Sequence, residues 1–293
     1  MYARSVLLVF LAGVCWSVGG VMLRCMESAT GWQVLFYRAV GMTVTLLLLL
    51  ALRYRWRLVT VFRAAGMAGS IGGFCLATAF TCNIFSMLHT TVATTLFMQS
   101  TQIFFAAVIG RVLLQERVRL ATWVAMAVAL TGVGVMVAEG VMHGTLAGSL
   151  LGLVTGLTVA GFAVALRAGH TVEMLPCACV AGAFSAMAGG LMAEGLVVTP
   201  HDLGLSLVMG VGQFALGFTL FTLGASHVPA AELMVVALSE VVLAPLWVWL
   251  GIGERPSALT LLGGAIIMAA IVEDVSNLWI CYPLGVSENQ QRE

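Results

Sequence analysis

The sequence predicts an all-α membrane protein whose ten transmembrane helices form two inverted five-helix repeats around a central cavity. Composition gives the first support, since 61% of the 293 residues are hydrophobic, 9% are charged and the mean hydropathy is +1.06. A soluble domain carries roughly 25% charged residues. The division of the chain into apolar segments gives the second support, and an internal repeat gives the third.

The chain divides into ten apolar segments, each close to the ~20 residues that a helix needs to cross the hydrocarbon layer. Because the remaining loops are short, no soluble catalytic domain is expected and the protein is not predicted to be an enzyme. The first segment follows Arg4 as a signal peptide would, but no small-residue cleavage pattern follows it. We therefore predict that it is a transmembrane helix. The predicted helices are 5–24, 32–52, 64–87, 91–113, 119–138, 147–167, 175–193, 204–225, 230–250 and 257–275.

Arginine supplies all 13 positive charges, because the chain contains no lysine. An N-terminus inside the cell places only Arg24, Arg38 and Arg255 toward the outer side. By the positive-inside rule this predicts a multi-pass protein of the bacterial inner membrane with both termini in the cytoplasm. The net charge of zero and the lack of a broad basic face argue against nucleic acid as a partner. The arginines then at or near the cytoplasmic side are Arg4, Arg53, Arg55, Arg57, Arg63, Arg111, Arg117, Arg119, Arg167 and Arg292.

An internal repeat organises the chain. We predict a first five-helix repeat over 1–138, a second over 139–276 and a short C-terminal tail over 277–293. Because five is an odd number, the second repeat must enter the membrane from the opposite side. Inverted repeats allow a central site to be exposed alternately to the two sides of a membrane. A shift of 138 positions superposes Phe80 on Phe218, Thr81 on Thr219, His89 on His227, Ala93 on Ala231 and Glu116-Arg117 on Glu254-Arg255.

Four amide side chains lie inside predicted helices. The shift of 138 superposes Gln102 on Glu240, so both are expected at a comparable depth. Gln99 shares a helix face with Gln102, and the third and eighth helices carry Asn83 and Gln213. These amides would orient a polar or zwitterionic solute. Alternatively, some of them only join helices, since interhelical hydrogen bonds stabilise membrane bundles by about 0.6 kcal/mol each.

Glu240 is the first candidate for a functional role. A carboxylate at the centre of a membrane helix costs about 2.5 to 3.5 kcal/mol and usually marks a pathway, a proton relay or a substrate contact. Either it changes protonation as the cavity opens to opposite sides, or it is a structural carboxyl group hydrogen-bonded to a neighbouring helix. Pro245 stands where the first repeat has Ala107 and frees a backbone carbonyl about one turn earlier. This suits a gating helix, and a static kink is the alternative.

Arg38 and Trp16 complete the set of candidate substrate-binding residues. Arg38, one turn inside the second helix, either receives a substrate carboxylate or extends its side chain to the interface. Trp16, at mid-depth in the first helix, either stacks on a solute or packs against neighbouring helices. No metal site and no cofactor are expected, because no cysteine pair has CxxC spacing and the five histidines are scattered.

The chain resembles the EamA-type drug/metabolite transporter superfamily. The resemblance extends over nearly the whole chain and combines the ten helices and the five-plus-five repeat with three local motifs. The motifs are the segment GVCWS at 13–17, the pair Tyr37-Arg38, and the helix endings Glu116-Arg117 and Glu254-Arg255.

The resemblance implies a secondary transporter that exports amino acids or related metabolites by alternating access. It also implies a cavity lined by helices of both repeats, with the fifth and tenth helices at the periphery. A passive channel or facilitator, or a multidrug efflux protein on the same scaffold, is the alternative. The expected partners are a small-molecule substrate and membrane lipid, and both a monomer and a weak homodimer fit.

Overall fold

The computed structural model of the protein describes residues 2–55, 58–115, 120–169, 174–225 and 239–281. Within these ranges the regular structure is entirely helical. In chain order the elements are α1 (Tyr2–Ser17), α2 (Gly19–Arg24), α3 (Gly31–Tyr54), α4 (Leu58–His89), α5 (Val92–Ser100), α6 (Gln102–Leu113), α7 (Leu120–His143), α8 (Leu146–Ala168), α9 (Met174–Met192), α10 (Pro200–Val208), a π-helical segment (Met209–Ala215), α11 (Leu216–Ala225), α12 (Ser239–Ile252) and α13 (Ala258–Cys281).

Apolar helices overlap all ten predicted segments. Eight helical stretches are long and apolar enough to cross a membrane, and two shorter apolar helices, Ser239–Ile252 and Ala258–Glu273, follow them. The all-helical membrane architecture is confirmed, while the count of ten spans and the inverted arrangement stay predictions. Several predicted features lie outside the described residues. These are the first part of the helix predicted at 230–250, Glu116-Arg117, His227, Ala231 and the tail after Cys281.

Three predicted helices are interrupted where the sequence indicated none. Val18 separates α1 from α2, and Thr101 separates α5 from α6. Within α4, Gly66 has a φ of 53° and a ψ of −148°, a conformation that glycine tolerates best. Apolar length predicts that a segment crosses the membrane, but breaks depend on individual backbone groups. At Thr101, for example, the side-chain hydroxyl donates to the Met98 carbonyl at 2.6 Å, a local bond that bends helices.

The helices pack mostly across the two predicted repeats. α4 contacts α8 and α9, while α3 contacts α9 and the π-helical segment. α1 contacts α11 and α12, and α7 packs along α13. The larger cluster of buried apolar residues lies between α3, α4 and α9, and a smaller one lies between α6, α7 and α13. Large apolar side chains on the outer surface, such as Leu52 and Met67, are exposed, as expected for positions that face lipid.

Candidate functional site

At one face of the helix bundle, an ion pair joins distant parts of the chain. The Arg24 Nε donates to Glu254 Oε2 at 2.8 Å. A second guanidinium nitrogen of Arg24 donates to the Thr90 carbonyl at 2.7 Å, and Glu254 Oε1 accepts from the Val92 backbone N–H at 2.9 Å. This arrangement, which we call the clasp, ties α2, the turn before α5 and the residues after α12 together.

A buried aspartate reinforces the same face. Asp202, in the first turn of α10, accepts hydrogen bonds from the backbone N–H groups of Glu27, Ser28 and Ala29 at 2.9 to 3.0 Å. Its side chain is fully buried. Backbone N–H groups of a tight turn need acceptors once they are removed from water, so Asp202 fixes the α2–α3 turn onto α10.

The polar centre of the structure lies between α1 and the π-helical segment. The side-chain amide of Gln213 donates to the Trp16 carbonyl at 2.9 Å. The other Gln213 amide atom, Oε1, and the indole N–H of Trp16 are buried, and neither has a hydrogen-bond partner among the described residues. π-helical turns often occur at functional sites. One acceptor, Gln213 Oε1, and one donor, the Trp16 indole N–H, are therefore left unpaired among the described residues.

The start of the described part of α12 faces the same side of α1. A Cβ placed on Gly13 would lie 2.5 Å from Ser239 Oγ and 3.8 Å from the Glu240 backbone nitrogen, so a larger residue at position 13 would displace the Ser239 side chain. Ser239 Oγ is buried without a hydrogen-bond partner in the described part of the chain. Gly13 and Trp16 are three residues apart and share a helix face. The Glu240 backbone therefore lies beside the helix that carries Trp16.

Glu240 lies in the first turn of the described part of α12. Ile252, at the end of this helix, follows it by twelve positions, which is a rise of about 18 Å at 1.5 Å per residue. Its side chain is partly buried, and no ion pair or hydrogen bond joins it to another described residue. Pro245 lies within the same helix, one turn further on. Gln213 lies within the π-helical segment that follows α10.

Arg38 is buried beneath aromatic rings. Its side chain is only 3% exposed, so it does not extend to the interface. The guanidinium carbon lies 4.6 Å from the ring centre of Phe214 and 5.3 Å from that of Phe80. One guanidinium nitrogen donates to the Phe80 carbonyl at 3.2 Å. Removing such a cation from water costs several kcal/mol, and no carboxylate among the described residues pairs with it.

Aromatic side chains connect Arg38 with Trp16. Phe80 contacts Phe214 at 4.8 Å between ring centres and Phe218 at 6.3 Å. Phe218 in turn lies 5.5 Å from the Trp16 ring, in an edge-to-face arrangement. We call these rings the aromatic cluster: Trp16, Phe80, Phe214, Phe218 and Phe221. The cluster fills the space between α1, α4 and the π-helical segment.

The remaining amides are arranged differently. The Asn83 amide donates to Gln99 Oε1 at 2.8 Å and so joins α4 to α5. Gln102 lies at the start of α6, which packs against α8, and its Oε1 is buried without a partner among the described residues. No described hydrogen bond links Gln102 to the other candidates. The structure thus brings together Trp16 and Gln213 directly, and it pairs Asn83 with Gln99 separately.

An apolar groove of about 450 Å³ lies between α2 and α12. Its wall contains no candidate residue and almost no polar group, and its surroundings suit a lipid chain better than a polar solute. It is lined by Val18, Val21, Met22, Trp247, Leu250 and Gly251.

Sequence reasoning missed the aromatic cluster and Ser239. Phe80 and Phe218 were superposed by the repeat, yet their contact depends on how α4 and α11 approach each other. Ser239 was overlooked beside Glu240. In the described ranges, no group of three or more His, Cys, Asp or Glu residues is placed to hold a metal ion.

A sequence model of the EamA-like transporter family matches residues 3–138 and 142–272. Two relatives are each 28% identical over 277 residues, which cover 92% of this chain and 94% of theirs. They are the pseudopaline exporters CntI of Pseudomonas aeruginosa strains UCBPP-PA14 and PAO1. A solved structure described as "Crystal structure of protein" superposes with a TM-score of 0.66 at 16% identity, over 93% of this chain and 97% of that one. At that identity the likeness shows a shared fold.

Proposed function

The chain belongs to the EamA-like transporter family, and from this premise we propose that it exports small polar metabolites, such as amino acids or related compounds, by alternating access. Family membership makes it a transporter and not an enzyme. It is a multi-pass membrane protein. In the proposal, it lies in the bacterial inner membrane with both termini in the cytoplasm. It works there as a monomer or a weak homodimer.

The relatives support export of a metabolite. Both are exporters of pseudopaline, and they resemble this chain along almost its full length. At 28% identity the side chains that contact the solute are free to differ. The proposal therefore takes the class of transport from the relatives and the chemistry of the solute from the residues of this chain.

Two observations support the inverted relation between residues 1–138 and 139–276. The helix contacts are reciprocal, because α1 packs on α11 while α4 packs on α8, as a two-fold relation between the halves requires. In addition, Gly148 at the start of α8 lies against Thr90, which the clasp places at the same face as the end of α2. This contact supports leading helices that start from opposite faces in the two halves. Such halves can rock around a central site.

The clasp and Asp202 support alternating access. Arg24, Glu254 and Asp202 close the face at which α2 and α12 end. Their contacts join helices of both proposed halves. A carrier must break such contacts to open this face, and the ion pair is partly exposed, with 25% and 20% of the two side chains accessible. Exposed ion pairs are weak, at about 0.2 to 1 kcal/mol, which suits a closure that breaks in each cycle.

The proposed solute site lies between α1, the π-helical segment and α12. The observation that carries it is the set of buried polar atoms without described partners at Trp16, Gln213 and Ser239. Buried polar groups are otherwise almost always hydrogen-bonded, so these atoms are available for a solute. Arg38 and Glu240 supply the charged groups. Gln102, with its buried Oε1 unpartnered among the described residues, stays a separate candidate on α6, whereas Asn83 and Gln99 act mainly by joining helices.

The test is a panel of labelled small metabolites assayed with the purified full-length protein in proteoliposomes at several pH values. We expect uptake of some polar solutes and a pH dependence that Glu240→Gln weakens. Glu194→Gln is the matched control, because it neutralises an exposed carboxylate elsewhere. If the pH profile of Glu240→Gln equals that of the wild type, Glu240 has no part in coupling. If no solute enters beyond the empty-vesicle rate, the transport proposal is wrong.

A further inference from the structure

We propose that the transported solute carries a carboxylate group and that Arg38 is the residue that selects it. This inference rests on the transport function proposed above and narrows its substrate class. It starts from a cation with no described counter-charge in the interior of a membrane protein. Arg38 is 3% exposed, and no acidic side chain among the described residues forms an ion pair with it.

The donors of Arg38 are largely unused. A guanidinium has five N–H donors, and one described hydrogen bond, to the Phe80 carbonyl, uses one of its nitrogens. The guanidinium contacts the rings of Phe80 and Phe214. These ring contacts stabilise the positive charge, but the rings do not accept the N–H groups that lie in the guanidinium plane. An incoming carboxylate would accept those N–H groups, because its two oxygens match the planar guanidinium in a bidentate pair.

The position of Arg38 connects it to the proposed solute site. Phe214, which covers the guanidinium, follows Gln213 directly in the π-helical segment. The Arg38 backbone also touches this segment, since a Cβ on Gly210 would meet the Arg38 carbonyl oxygen. A solute bound to Arg38 would therefore lie beside the helix turn that presents the unpartnered Gln213 Oε1. The Trp16 indole N–H lies across the aromatic cluster.

A purely structural Arg38 is the competing explanation. In that case the Phe80 carbonyl and the two rings would hold the cation, and its charge would not affect which solutes are carried. The two explanations predict different solute selectivity, which a stability measurement would not reveal. Only a recognition role makes Arg38 discriminate between a carboxylate and its uncharged carboxamide.

The experiment compares labelled L-amino acids with the corresponding amino-acid amides, in which a carboxamide replaces the α-carboxylate. Both are measured in counterflow assays on the full-length protein in proteoliposomes. We expect the acids to exchange at least about tenfold faster than the amides, since a charged hydrogen-bonded pair contributes enough to change binding by that factor. Arg38→Gln should remove the preference for acids over amides, whereas Arg38→Lys should retain part of that preference. Arg53→Gln is the matched control, because Arg53 lies on the same helix and contacts Tyr54 but is exposed.

A second measurement does not depend on the variants. In detergent, the acids and not the amides should raise the Tm of the wild-type protein. Equal exchange of acids and amides, or an acid preference that survives in Arg38→Gln, would overturn carboxylate recognition while leaving the carrier function intact. If neither acids nor amides exchange, the carrier function for such solutes fails, and this inference fails with it.

Discussion

Arg24 and Glu254 are 230 residues apart in the chain, yet their side chains form an ion pair of 2.8 Å. The pair joins the end of α2 to the residues after α12, so it couples the two proposed repeats. Glu254 also accepts the Val92 backbone N–H, and Arg24 also reaches the Thr90 carbonyl. The clasp is therefore a small network in which each member has a second contact.

We expect the two side chains of the clasp to be energetically coupled. Arg24→Gln, Glu254→Gln and the double variant should give a coupling energy of about 0.2 to 1 kcal/mol, the range for partly exposed pairs. Thermal unfolding in detergent at low salt measures this cycle. Arg255→Gln is the control, because this exposed neighbour of Glu254 has no ion pair among the described residues. Strictly additive effects of the two substitutions would show that the contact contributes nothing.

Asp202→Asn should destabilise the protein although it changes few atoms. The carboxylate accepts three backbone N–H groups of the α2–α3 turn, and an amide would turn an N–H donor toward at least one of them. We expect a Tm lower by several degrees, and a larger loss for Asp202→Ala, because unsatisfied buried donors are costly. His201→Gln, at an exposed neighbouring side chain, should leave the Tm nearly unchanged. A wild-type Tm in Asp202→Asn would contradict the proposed role.

The hydrogen bond between Asn83 and Gln99 should affect stability more than solute selection. Each single substitution to alanine should cost about 0.6 kcal/mol, the average for interhelical bonds in membranes, and the double variant should cost little more than either. Thermal unfolding of the variants and the wild type in detergent measures these differences in stability. A changed order of preference among transported solutes in Asn83→Ala would instead place this pair in the solute site.

The orientation of the protein can be tested with a native cysteine. Cys25 is exposed and follows Arg24 at the clasp face, which the positive-inside rule places outside. In a Cys281→Ser background, a membrane-impermeant maleimide should label intact spheroplasts, and Cys25→Ser should abolish the signal. Labelling that requires lysis of the spheroplasts would reverse the predicted topology.

The sequence predicted the helices well because their existence depends on local composition. A run of about 20 apolar residues must be a helix in lipid, since its backbone groups have no other partners. The breaks at Val18 and Thr101 and the π-helical segment were not predicted. They depend on single backbone groups and on the side chains that satisfy them, such as the Thr101 hydroxyl for the Met98 carbonyl and the Gln213 amide for the Trp16 carbonyl, and hydrophobic periodicity does not report this.

The candidate polar residues could be named from the sequence, but their pairings could not. Buried polar positions such as Gln213 and Asn83 are recognisable because polar groups are rare in apolar helices. The hydrogen bonds that these polar side chains form depend on the packing of α4 on α5 and of α1 on the π-helical segment. The repeat marked Phe80 and Phe218 without revealing that the two rings contact each other or that Phe80 covers Arg38. The sequence also left the burial of Arg38 open.

Counterflow in proteoliposomes tests the central claim, that this chain is a carrier with alternating access, most directly. Vesicles preloaded with an unlabelled transported solute should take up the labelled solute faster than empty vesicles do, because the loaded carrier returns faster. Vesicles without protein provide the baseline. Uptake that occurs but is unaffected by preloading would contradict the account and indicate a passive pore.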